Sequence, residues 1–176
     1  LKAGDGIEAL ASRLGQSLLR KRALCATAES CTGGLVAGAI TDIAGSSAWF
    51  ERGFVTYTNE SKQALLGVPD AVLREHGAVS EATARAMAEG ALARSPVHLA
   101  VAVTGIAGPG GGTPAKPVGM VCFAWAGKGL PTTAITRHFP GGRADVRRAA
   151  IVAALEGLVV CAEAMGDADP QTRGPE

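Results

Sequence analysis

Aromatic side chains make up only 4% of this chain, and histidine occurs three times in 176 residues. His76, His98 and His138 are scattered, with no HExxH or similar ligand spacing, so each reads as structural or exposed and no metal is expected. Long apolar runs are missing too. Nothing approaches the ~18 residues of a membrane span, and the opening segment lacks a signal-peptide core. Charge of one sign is also missing. A formal net charge of +1 gives no long-range field to gather nucleic acid or an anionic membrane, so an anionic ligand must be held by a local pocket. Four cysteines (Cys25, Cys31, Cys122, Cys161) form no CxxC pair. A chain able to build its own core needs no disulfide framework, which points to a reducing, cytoplasmic setting.

What is present is apolar and small. Apolar residues reach 47% and charged ones 19%, with Ala, Val, Leu and Gly dominant, a mix suited to helices packed closely on a sheet. The length fits one domain, expected over residues 1–165, with a disordered tail over 166–176.

Ile7, Leu10, Ala11, Leu14 and Leu18 recur at helical spacing and predict an amphipathic opening helix. The run at 23–28 predicts a buried strand, followed by a helix from near Thr32 to about Ile43. A second strand is expected over 54–57, then a short helix over 63–66 and another ending near His76. Ser80 is a good cap for a helix over 81–94. Three strands follow, over 98–104, 118–126 and 132–139, before a last helix over 144–165. Helices alternate with strands early and strands run together late. That order predicts an α/β fold, a three-layer α/β/α sandwich with a mixed central sheet.

Four stretches could carry chemistry. AESCTGG (28–34) stands where a strand hands over to a helix, so its hydroxyl is presented and the helix-start N–H groups could meet an oxyanion or phosphate. Ser30 is the candidate nucleophile and Cys31 its rival, although Cys31 has no neighbouring His; a plain capping Ser or Thr reads equally well. YTNESK (57–62) offers Lys62 as a general base, should burial lower its pKa. Ser with Lys is a known alternative to Ser-His-Asp. Taken alone, Lys62 reads more readily as a solvated surface lysine, and Tyr57 as either a core aromatic or a proton relay. TGIAGPGGG (104–112) follows the clearest strand and suits a loop moulded around a small ligand; it is neither a Walker A loop nor a dinucleotide fingerprint. Arg143 and Arg147, four apart near the start of the last helix, could fork onto a phosphate.

Together with the segments at 40–62, HGAVS (76–80), TGIAGPGGGTPAKPVG (104–119) and GGRADVRR (141–148), AESCTGG resembles the CinA C-terminal domain family over residues 7–160 or so. The resemblance implies hydrolysis of the carboxamide of nicotinamide mononucleotide in pyridine-nucleotide salvage. It makes Ser30 the nucleophile, Lys62 its base and Tyr57 an assistant. Backbone N–H groups near Thr32, Gly33 and Gly34 would face the oxyanion. Thr104, Gly105 and the loop through Gly108 would line the nucleotide pocket, and Arg143 or Arg147 would hold the phosphate. No cofactor and no metal are implied, the partner is the small-molecule nucleotide, and a homodimer is expected. Activities of the separate N-terminal domain of longer members are not carried over. The rival reading is a non-catalytic nucleotide- or protein-binding module linked to competence or DNA damage; it gives no reason for Ser30 and Lys62 to occur beside glycine-rich loops.

Overall fold

The apolar runs assemble into one five-stranded sheet in a computed structural model that describes residues 5–166. The tail expected over 166–176 lies outside the described residues but for Gly166. In chain order the elements are α1 (Asp5–Arg20), β1 (Cys25–Glu29), α2 (Leu35–Thr41), β2 (Phe50–Val55), α3 (Asn59–Leu66), α4 (Asp70–His76), α5 (Glu81–Ala93), β3 (Leu99–Gly105), β4 (Met120–Gly127), β5 (Leu130–His138) and α6 (Arg143–Ala164). A single 3-10 turn, Ser46–Ala48, precedes β2.

The strands lie in the order β2-β1-β3-β4-β5. β1 is parallel to both β2 and β3, and β4 and β5 are antiparallel to their neighbours. The sheet is therefore mixed, as expected. Leaving β1, the chain turns to β2 on one side and later returns to β3 on the other. The C-terminal ends of β1 and β3 thus flank a switch point, where open α/β sheets hold their ligands.

Side-chain alternation divides the sheet into two unlike faces. Leu99, Val101, Val103, Val121, Phe123 and Trp125 point toward α1, α2 and α6. Ala100, Ala102, Cys122, Ala124 and Ala126 point toward α5, which answers with Ala84, Ala88 and Ala91. The alanine-rich composition is spent here: small side chains on both surfaces let α5 sit close to the sheet.

Gly90 continues that close approach on the next contact. A Cβ at Gly90 would run into the backbone carbonyl of Leu66 at the end of α3, an atom that cannot rotate away. Gly90→Ala is expected to destabilise the protein by about 1–3 kcal/mol through overpacking. A urea midpoint unchanged from the parent would refute this.

β4 and β5 are each displaced by one or two residues from the sequence expectation, and three boundaries differ for a physical reason that bears on the site. α2 starts at Leu35 rather than Thr32, because Gly33 (φ 61) and Gly34 (φ 95) are left-handed and no helix can pass through them. β2 covers Phe50–Val55 rather than 54–57; as an edge strand with exposed Arg52 and Gly53 it shows no apolar run, and its ladder with β1 defines it. α3 begins at Asn59 because Thr58 caps it, so Lys62 lies inside the helix rather than before it.

Candidate active site

β1 is buried along its whole length and ends at Glu29, so Ser30 is delivered to the C-terminal edge of the sheet. The Ser30 N–H donates to Val103 O (2.9 Å), which pins this residue against β3. A tight turn follows, with Gly33 N donating to Ser30 O (3.0 Å) and Leu35 N to Thr32 O (3.2 Å). The helix start behind it is not open to a ligand. Glu29 is 0% exposed and its carboxylate accepts from Gly34 N (3.0 Å), Val36 N (3.0 Å) and Ala37 N (2.8 Å). This corrects the expectation that Gly33 and Gly34 offer free N–H groups, since both are committed within the turn. Among the described residues, the N–H groups of Cys31 and Thr32 donate to no backbone acceptor.

Lys62 reaches this turn from the other side of the sheet. Thr58 and Ser61 form a capping box that fixes the first turn of α3, and Leu66 anchors the far end in the alanine-rich core. Lys62 is consequently 1% exposed, not a surface lysine. Its Nζ lies 3.1 Å from Ser30 Oγ and donates to Thr56 O at 2.9 Å. Burial lowers the pKa of this ammonium below the ordinary lysine value, while nearby Cys31 and Glu60 oppose the shift. Ser30 itself is 9% exposed, at the margin of the surface. Burial pushes the rival Cys31 thiol up to about 11, which leaves it protonated and a poor nucleophile at neutral pH.

Tyr57 leaves the end of β2 and is 59% exposed, neither core nor bonded to Ser30. Its hydroxyl accepts from Arg143 Nη2 (2.9 Å), and Arg143 Nη1 donates to Gly108 O (3.0 Å). One guanidinium thus joins the end of β2, the start of α6 and the glycine-rich loop. Arg147, one turn on, donates from Nη2 to Thr32 O (3.0 Å), while its Nε and the Thr32 hydroxyl are buried with no partner among the described residues. Thr104 is buried at the end of β3 and its hydroxyl donates to Ala78 O (2.7 Å), so it braces the 76–80 segment. Gly105 closes β3 beside β4, and Lys116 ties the far end of the loop to His76 O. These contacts join Ser30 to Lys62, Thr32 to Arg147, and Tyr57 and Gly108 to Arg143, while Thr104 holds the 76–80 segment instead.

Sequence reasoning missed Glu29 and Thr56. A lone carboxylate closing the apolar strand CATAE, just ahead of a glycine pair, was the available signal for Glu29. The Thr56 contribution is a backbone carbonyl, to which sequence is blind. An open groove of about 570 Å³ between α1, α6 and β5, lined by Leu10, Trp125, Ile135 and Val160 among others, is touched by none of these residues.

The order of these stretches along the chain has a counterpart elsewhere: a family model for the CinA C-terminal domain matches residues 7–162. The chain belongs to the CinA C-terminal domain family. A protein of Pseudomonas putida named nicotinamide-nucleotide amidohydrolase PncC is 53% identical over 155 residues, covering 88% of this CinA domain and 96% of the relative. Longer relatives from Symbiobacterium thermophilum and Akkermansia muciniphila are 57% and 51% identical, but this chain spans only 38% and 37% of their length. The crystal structure of the competence/damage inducible protein CihA from Agrobacterium tumefaciens superposes with a TM-score of 0.86 at 50% identity, covering 88% of this chain and 94% of that one. The three-layer CinA architecture is thus shared over most of this chain. Among the described residues, no helix is long and apolar enough to cross a membrane.

Proposed function

We propose that this CinA domain hydrolyses the carboxamide of a nicotinamide nucleotide, nicotinamide mononucleotide above all, to the carboxylate and ammonia by a Ser-Lys mechanism. The observation that carries this reading is the buried Lys62 amine 3.1 Å from Ser30 Oγ. The amidohydrolase name of the full-length-matched Pseudomonas putida relative supports the substrate class.

In the neutral amine, Thr56 O takes one N–H of Lys62, which helps aim the lone pair at the Ser30 hydroxyl. Lys62 removes that proton as Oγ bonds to the carboxamide carbon. The uncommitted N–H groups of Cys31 and Thr32 face the developing oxyanion; the residue following a nucleophile supplies such a donor in other α/β hydrolases. The C–N bond then breaks, Lys62 returning its proton to the departing ammonia. Water, deprotonated in turn by Lys62, adds to the acyl carbon; the bond to Ser30 Oγ breaks, Oγ takes its proton back from Lys62, and the product leaves and ionises to the carboxylate.

Arg143 stands exposed at the mouth with donors left over after Tyr57 and Gly108, and takes the 5′-phosphate; Arg147 braces the Ser30 turn. Purified protein with nicotinamide mononucleotide, its riboside and free nicotinamide tests the reading by ammonia release. Turnover of the mononucleotide is expected, and binding without turnover would instead favour the non-catalytic module. Arg143→Ala is expected to raise KM for the mononucleotide about ten- to a hundredfold, the loss of one charged hydrogen-bonding group. An equal rise for the phosphate-free riboside would remove Arg143 from the phosphate.

A further inference from the structure

Glu29 is fully buried, charged by nature, and spends both carboxylate oxygens on three backbone N–H groups. An ion placed there costs desolvation energy, and hydrogen bonds to charged groups are the kind that offset it. An ordinary cap does this for a helix from its first residue. Here the nominal N-cap, Gly34, makes no side-chain bond, and the capping group comes from five residues earlier, across the turn that carries Ser30. The bond from Glu29 back to Gly34 closes the segment 29–34 into a ring. Within that ring Gly33 N also bonds Ser30 O, and Ser30 N is held by Val103 O. Glu29 thus fixes the far end of the turn that carries Ser30, beside the bonds Ser30 itself makes through its backbone to Val103 O and Gly33 N. Glu29 also occupies the donors at the start of α2, Gly34, Val36 and Ala37 N.

We propose that Glu29 is a positioning residue: through its three N–H contacts it sets the Ser30 turn so that Oγ meets both Lys62 and the reacting carbonyl. The inference rests on the Ser-Lys reading above. Glu29→Gln keeps the shape, but its amide NH2 must confront an N–H where an oxygen had accepted. Two readouts test it, both normalised to folded protein: steady-state kinetics with nicotinamide mononucleotide, and the rate at which a fluorophosphonate labels Ser30, followed by mass spectrometry.

Glu29→Gln is expected to lower kcat by roughly thirtyfold or more with KM within about threefold of the parent, and to slow labelling by at least about tenfold. A merely structural residue would lower the folded fraction and leave both rates per folded molecule unchanged. Should Glu29→Gln not fold, Glu29→Asp keeps the charge but pulls it back by one methylene, out of reach of all three donors together. It is expected to slow labelling by about tenfold. Rates within about twofold of the parent in whichever variant folds overturn the proposal. Wild-type protein that is labelled at Ser30 but releases no ammonia removes the proposed substrate, while the labelling ratio still decides the role of Glu29. Wild-type Ser30 that stays unlabelled overturns both.

Discussion

Ser30→Ala will abolish ammonia release from nicotinamide mononucleotide while leaving the unfolding curve in place. Removal of a nucleophile that works as a unit with its base lowers kcat by roughly four to six orders of magnitude. The fold has little stake in that oxygen. Ser30 is positioned through its backbone, by Val103 O and Gly33 N, and Lys62 keeps its bond to Thr56 O when the hydroxyl is gone. Stability should change by no more than about 1 kcal/mol, the usual worth of one hydrogen bond. A variant that retains turnover would hand the reaction to another group. Cys31 is the nearest alternative, and its raised pKa argues against it.

Lys62→Met should lose kcat by at least a factor of roughly 10² to 10⁴, the usual contribution of a general base. The pH dependence gives a sharper test. Burial lowers the Lys62 pKa, and only the neutral amine can accept the serine proton. Activity therefore climbs as pH rises through the lowered pKa and levels off below the ordinary lysine value of about 10.4. Stability follows the same group. Its folded pKa lies below its unfolded one, so across that interval the unfolded chain holds more protons and stability rises with pH. Lys62→Met should flatten both slopes. An acid limb with an unshifted midpoint in the variant would assign the titration elsewhere.

The legible parts of this protein are those written in local pattern. The inner strands β1, β3 and β4 are buried on both faces and read as apolar runs, while the cap at Ser80 and the glycine-marked turns give the helix ends. β2 lies earlier in the chain than its apolar residues suggest, because an edge strand carries Arg52 and Gly53 without penalty. Ser30 could be singled out from its place at a strand-to-helix junction. The burial of Lys62 could not, since a lysine in NESK reads as solvated until Leu66 and Thr58 fix the helix that draws it inward. The same holds for Arg143, whose bonds to Tyr57 and Gly108 span separations of 86 and 35 positions. Such contacts exist only after the layers have closed.

Ser30 sits on a turn whose helix packs on the large-residue face of the sheet, and Lys62 on a helix packed on the alanine face. The two therefore shake hands over the rim from opposite storeys of the molecule. A folding intermediate with only one storey docked would contain every residue of the pair and still be inert. Recovery of activity during refolding would accordingly report the moment the second storey docks.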